Sequence, residues 1–234
     1  MQQVSMQPET CRMVMGPKLS FSLQLRTVLF NSMELLGSNH MELITKVCPK
    51  IEWLSLDSAL TYNLEGLGRF NNLRFLKLNY KGRSIDGSVV NFFNANSSSL
   101  QHLHLIDIRD LTKADLLRTV GRCYSLETLV LEECSLAFNK ARLAGKFHDN
   151  EEEALNLTTT KSNLLSFLID GQLRVEHLQL LGLQQSRSIK DEFWDFMSLF
   201  QSCVKVIDMD ICPLDAKGLE TLLTAFSPQL EAVR

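Results

Sequence analysis

The chain has 234 residues, of which 45% are hydrophobic and 22% are charged, a composition typical of a globular protein with a substantial core. Its formal net charge of −3 gives no basic field for a phosphate backbone, which argues against a nucleic-acid partner. The six cysteines form no C-x-x-C pair and no disulfide framework, and no apolar run approaches the roughly 18 residues that span a bilayer. We therefore expect a cytoplasmic or nuclear protein without membrane contact.

The N-terminal segment, residues 1–20, is predicted to be a flexible tail. It carries methionines at Met1, Met6, Met13 and Met15 with little periodicity, as is common at chain termini. Pro17 and Lys18 interrupt any apolar core of a signal peptide. One domain is expected to occupy residues 21–234.

A six-residue strand motif recurs through this domain. Its clearest copies spell L-x-x-L-x-L, and the motifs begin at Ile51, Leu73, Leu100, Leu126, Val175 and Val204, with a truncated copy at Leu230. Most copies begin about 26 residues apart, but Val175 follows Leu126 by 49 (175 minus 126). An insertion near residues 136–160 is therefore predicted.

Positions 4 and 6 of each motif are apolar and alternate with more polar residues, as a strand with one buried face requires. The predicted core residues are Leu54, Leu56, Leu76, Leu78, Leu103, Leu105, Leu129, Leu131, Leu178, Leu180, Ile207 and Met209.

Between the motifs the apolar spacing becomes helical, and polar residues precede several of these segments as helix caps. The cap residues and the apolar positions that follow them are Ser38 with Met41, Ile44 and Cys48; Thr112 with Leu116, Val120 and Cys123; and Asp215 with Leu219, Leu222, Leu223 and Phe226. A further helix from Asp191 is predicted to place Phe193, Phe196, Met197 and Phe200 on one face.

A strand and a helix repeated at this period are typical of leucine-rich-repeat proteins. The resemblance implies an α/β solenoid with a curved parallel sheet on the concave face and helices on the convex face. Cysteines at helix ends and after strands, such as Cys123, Cys134 and Cys212, together with the segment Leu214-Asp215-Ala216-Lys217-Gly218-Leu219, resemble the cysteine-containing subclass. That subclass is familiar from F-box proteins.

The resemblance implies a protein-protein interaction module that recognises substrates for an SCF-type ubiquitin ligase. Residues 1–37 contain no recognisable F-box, so contact with the ligase adaptor would involve a region absent here. The alternative is a stand-alone leucine-rich-repeat scaffold or regulatory inhibitor without any connection to a ligase.

Positions 3, 5 and 7 of the motifs are predicted to face the concave surface. Trp53, Phe75, Lys77, His102 and His104 form the expected partner-binding patch, because aromatic anchors beside polar groups are enriched in protein interfaces. The alternative is that they are singly exposed side chains on a solvated sheet.

Catalytic, metal and cofactor sites are not expected. His102 and His104 project to one face, but His177 would lie about 10 Å away at two strand spacings, too far for a shared zinc ion. Cys134 and Cys212 are interpreted as small core residues rather than nucleophiles. The acidic run from His148 to Glu153 is interpreted as a solvated loop, with a short helix as the alternative. The chain is therefore predicted not to be an enzyme.

Overall fold

The computed structural model describes residues 3–6, 24–30, 44–56, 70–85, 87–96, 98–111, 113–135, 175–183, 190–210, 215–226 and 228–234. These ranges contain one nine-stranded sheet with the order β1-β2-β3-β4-β5-β6-β7-β8-β9, and every neighbouring pair is parallel. The strands are β1 Gln3–Met6, β2 Thr27–Phe30, β3 Trp53–Leu56, β4 Phe75–Arg83, β5 His102–Ile108, β6 Thr128–Glu132, β7 His177–Leu181, β8 Val206–Asp210 and β9 Ala232–Val233. The predicted α/β class with a single parallel sheet is confirmed.

Helices lie in the connections between strands, as parallel neighbours require. They are α1 Gly87–Asn96, α2 Lys113–Val120, α3 Lys190–Met197 and α4 Ala216–Phe226. A short 3-10 helix, Ser198–Phe200, continues α3, and residues 44–47 are also helical. The helices predicted around Leu116, Phe193 and Leu222 are therefore confirmed, while Ser38, Met41 and Thr112 lie outside the described residues.

The strand register agrees with the predicted alignment of the motifs. In the third column Trp53 pairs with Phe75 and Phe75 with His102, and the column continues through Thr128 and His177. The starts of strands β3 to β9 are each held by a recurrent pair of hydrogen bonds. At β3, for example, the carbonyl of Arg26 accepts from Glu52 N at 2.8 Å and from Trp53 N at 2.9 Å.

The core lies between the helices and one face of the sheet. Eleven of the twelve residues predicted at positions 4 and 6 are 0% exposed, whereas Met209, on the last full strand, is only partly buried. The first position of each full motif is equally buried, at Ile51, Leu73, Leu100, Leu126, Val175 and Val204. Each helix adds apolar side chains to the same cluster, among them Phe92, Leu116, Phe196 and Phe226.

Helix α4 differs from the other helices in its exposed side. Asp215 caps it as predicted, with Oδ1 accepting a hydrogen bond of 2.8 Å from Gly218 N. Leu222 and Phe226 are buried, but Leu219 and Leu223 are 41% and 45% exposed. Only one side of this helix therefore packs against the described part of the core.

A residue with a left-handed backbone lies at the C-terminal end of three strands, within β5 and directly after β6 and β7. The eighth residue of the motif has φ of 50° at Asp107, 54° at Glu133 and 58° at Gly182. Glycine adopts this conformation without a steric penalty, whereas Glu133 must tolerate it. At Glu133 and Gly182 the backbone amide remains hydrogen-bonded in this conformation, because Glu133 N donates to Leu181 O and Gly182 N donates to Asp210 O.

Strands β1 and β2 were missed in the sequence. Their six-residue windows, beginning at Met1 and Leu25, place apolar residues at positions 1, 4 and 6, but weakly apolar methionines and a valine at position 4 obscure the motif. Strand β1 lies within residues 1–20, the segment predicted to be a flexible tail. Residues 7–20 are outside the described part of the chain, so this tail and its boundary stay predictions. The insertion at 136–160 is also outside it.

Candidate functional site

The face of the sheet opposite the core carries positions 3, 5 and 7 of the strand motifs, and we refer to it as the open face. Its residues in the third column run from Trp53 on β3 to Val206 on β8. They are half-buried or exposed, in contrast to the leucines beside them. Ile106, at motif position 7 of the same face, is more buried at 7% exposure, and it lies between Asn79 and Glu132 on the neighbouring strands.

An aromatic row occupies the third column on strands β3 to β5. The rings of Trp53 and Phe75 are stacked, with centroids 3.6 Å apart and planes inclined by 19°. His102 continues the row at a centroid distance of 6.4 Å from Phe75. Trp53 remains 42% exposed, so a large apolar ring that stacks on Phe75 is accessible to a partner.

A groove of about 610 Å³ runs along this row at the beginning of strands β2 to β5. Its lining combines the aromatic row with polar and charged side chains from the residues just before the strands. The lining residues are Gln24, Arg26, Thr27, Glu52, Trp53, Arg74, Phe75, Gln101 and His102. The groove therefore offers both apolar contact and hydrogen-bond donors to a bound molecule.

Of the two arginines that line the groove, only Arg26 has an ion-pair partner among the described residues. Arg26 Nη1 lies 3.1 Å from Glu52 Oε1, and both side chains are partly exposed. Arg74, two strands further along at the start of β4, makes no ion pair within the described ranges. Its guanidinium can therefore meet an acidic group of a ligand without first losing a partner.

His104 forms a short diagonal contact across the open face. Its Nε2 lies 2.6 Å from Glu132 Oε2, and its side chain is 16% exposed. Burial lowers the pKa of His104, the nearby Lys77 lowers it further, and together they outweigh the opposite effect of Glu132. At neutral pH we therefore assign Nε2 as the donor of a hydrogen bond from an uncharged ring.

A second histidine makes the same kind of contact two strands away. His177 Nε2 lies 2.6 Å from Asp208 Oδ2, and Gln179 Nε2 donates to the same oxygen at 3.0 Å. Burial by itself would raise the pKa of Asp208, but the hydrogen bonds from His177 and Gln179 lower it below its usual value. This carboxylate is therefore held in its charged form.

The five residues predicted to bind a partner lie on adjacent strands. Trp53, Phe75 and His102 line the groove, and Lys77 pairs with His104 two positions further along β4 and β5. The charged groove residues Arg26, Glu52 and Arg74 were not predicted from the sequence. They occupy motif position 2, whereas only positions 3, 5 and 7 were assigned to this surface. The partners of the histidines were not predicted either, although a carboxylate two residues along the next strand was a usable signal.

The described His, Cys, Asp and Glu side chains do not form a metal site or a reactive thiol. In the described ranges no group of three or more His, Cys, Asp or Glu side chains is arranged to hold a metal ion. Burial raises the pKa of Cys123 and Cys134 to about 12 and that of Cys203 to about 11, so these thiols are protonated at neutral pH. Cys212 lies outside the described residues.

Helices within the described ranges lack the combination of length and apolar character needed to cross a bilayer. No protein-family model matches the chain, and no curated protein matches it.

Proposed function

We propose that this protein is a leucine-rich-repeat solenoid that binds another protein through its open face. In this proposal the open face is the concave side of the sheet and the helices form the convex side. The repeat period of about 26 residues, the strand order and the uniformly buried motif leucines support this architecture.

The observation that carries the proposed function is the aromatic row beside the groove. Trp53 has 42% of its surface exposed while it stacks on Phe75, and tryptophan and arginine are the residues that most often dominate binding energy in interfaces. Lys77, His102 and His104 extend the same surface across β4 and β5. A rigid sheet holds these side chains in place before binding, which reduces the entropy lost on association.

The more specific proposal is that the partner is a substrate of an SCF-type ubiquitin ligase. It rests on the resemblance to the cysteine-containing repeats, and Cys123 and Cys134 occupy the buried positions that such repeats require. Catalysis would then belong to partner enzymes, and this chain would supply affinity and orientation. The rival function, a scaffold or regulatory inhibitor, uses the same open face without any ligase.

Affinity purification of the tagged chain from its own cells, followed by mass spectrometry, tests both levels. We expect specific partners to be lost when Trp53→Ala and Phe75→Ala are combined, because the exposed anchor and its support are both removed. Tyr124→Ala is the matched control, since Tyr124 is 47% exposed but lies outside the strands of the open face. Circular dichroism should confirm that all variants are folded.

The outcomes separate the proposals. Ligase adaptor and cullin subunits in the wild-type sample support the ubiquitin pathway, whereas other partners alone, lost in the double variant, support the scaffold. Partners that survive the double variant and are lost with Tyr124→Ala would contradict binding through the open face.

A further inference from the structure

Charge is distributed unevenly along the strands of the open face. Among the described residues at motif positions 2, 3, 5 and 7, strands β2 to β4 contribute three cations and one carboxylate, namely Arg26, Arg74, Lys77 and Glu52. At the same positions β6 to β8 contribute five carboxylates and one cation, namely Glu127, Glu132, Glu176, Asp208, Asp210 and Lys205. The surface is therefore positive near the groove and negative further along the sheet.

Local pairing distinguishes the carboxylates of β6 to β8 from the cations of β4. Glu132 and Asp208 contact His104 and His177, and Glu176 lies 2.9 Å from Lys205. In contrast, neither Arg74 nor Lys77 has an ion-pair partner within the described ranges. The charge left unneutralised beside the aromatic row is therefore positive.

We propose that the groove binds an acidic, extended segment of the partner protein that also carries an aromatic side chain. This inference rests on the proposed function and names the chemistry of its partner. Arg74 would receive a carboxylate through two parallel hydrogen bonds, Lys77 would attract a second acidic group, and the aromatic side chain would stack on the exposed surface of Trp53.

The dimensions of the groove set the length of the bound segment. Strands β2 to β5 are separated by three intervals of about 4.8 Å, which is about 14 Å in all. An extended chain that rises about 3.3 Å per residue crosses this distance in about four residues. One aromatic side chain and two acidic groups fit within a segment of that length.

The acidic strands disfavour a nucleic acid at the same groove. A polynucleotide carries a phosphate at every residue, and a strand continuing over β6 to β8 would meet carboxylates at Glu132, Asp208 and Asp210. A peptide can be acidic over the groove and neutral or basic beyond it. Charge complementarity along the whole open face therefore favours a protein segment and also fixes its direction.

Selection from a library of randomised seven-residue peptides on the immobilised protein tests the partner chemistry. The wild-type chain should enrich Asp or Glu together with an aromatic residue. The reversal variant, Arg74→Glu with Lys77→Glu, should lose this enrichment, whereas Lys217→Glu on the exposed surface of α4 should retain it. Circular dichroism of each variant confirms the fold before selection.

Tryptophan fluorescence then measures affinity. The chain contains two tryptophans, and Trp194→Phe leaves Trp53 as the reporter in the groove. The selected peptide should change the emission saturably, and the reversal variant should weaken its binding by about tenfold or more. A version with phosphoserine in place of Glu is compared with the selected peptide. Tighter binding of the phosphoserine version indicates a phosphorylated partner, tighter binding of the Glu version indicates an unmodified one, and both should bind the wild-type chain more tightly than a lysine version.

Any of three results would overturn the acidic-segment proposal. These are enrichment of basic or uncharged peptides, an unchanged selection by the reversal variant, and no saturable change in Trp53 emission. Open-face binding is decided separately by the purification with Trp53→Ala and Phe75→Ala. If cellular partners are lost in that variant while the acidic peptide fails, only the partner chemistry is wrong. If those partners also persist, the proposed function fails with it.

Discussion

Leu129→Ala tests the packing of the sheet near its middle. Leu129 is 0% exposed on β6 and pairs in register with Leu103 on one side and Leu178 on the other. The substitution removes three carbons, worth about 2.4 kcal/mol at about 0.8 kcal/mol per buried methylene. Because hydrogen-bonded strands hold both neighbours in place, a cavity remains, and the total loss should fall between about 2 and 5 kcal/mol.

Thr128→Ala is the matched control because the neighbouring residue lies on the open face of the same strand. Thr128 is only half-buried, so its substitution should change the free energy of unfolding by less than about 1 kcal/mol. Urea denaturation followed by far-UV circular dichroism compares the two variants through their midpoints at similar m-values. Equal destabilisation by the two substitutions would refute the assignment of buried and open faces, since a one-residue slip would exchange them.

Two further predictions follow from the titrating groups. His104 has a pKa below its ordinary value of 6.5, so the unfolded chain binds a proton at higher pH than the folded chain does. The free energy of unfolding should therefore fall as the pH drops below 6.5, by at most about 1.4 kcal/mol per pH unit. In urea titrations across this range, His104→Gln should show a shallower slope than wild type, and an identical slope would contradict the assignment. Burial raises the pKa of Cys134 to about 12, so its alkylation by iodoacetamide at pH 8 should be far slower in the folded protein than in urea; peptide mapping that finds equal rates would show that this thiol is accessible.

The sequence predicted the core accurately because alternation along a strand directly specifies which side chains share a face. Eleven of the twelve residues at positions 4 and 6 are fully buried, and the exception, Met209, lies near the end of the sheet, where fewer neighbours cover it. The predicted columns were also confirmed, because parallel strands in chain order align equivalent motif positions. The five predicted site residues therefore occupy adjacent strands.

The groove and the histidine pairs could not be predicted in the same way. Arg26 and Arg74 come from residues just outside the strands, whose directions depend on how the chain enters the sheet. The contacts of His104 with Glu132 and of His177 with Asp208 join residues 28 and 31 positions apart, and they depend on side-chain rotamers as well as register. Strands β1 and β2 were not predicted because their motifs became recognisable only through the pairing of β2 with β3 and of β1 with β2.

The sequence by itself determined the repeat, the buried leucines and the order of residues along each column, because these depend on local spacing. Tertiary structure alone decided that Trp53 stacks on Phe75 beside Arg74, which has no ion-pair partner in the described part of the chain. It also decided that Glu132 and Asp208 contact histidines. Local alternation specifies the face on which a side chain lies. Its packing, charge and accessibility are set by neighbours that the fold brings from distant parts of the chain.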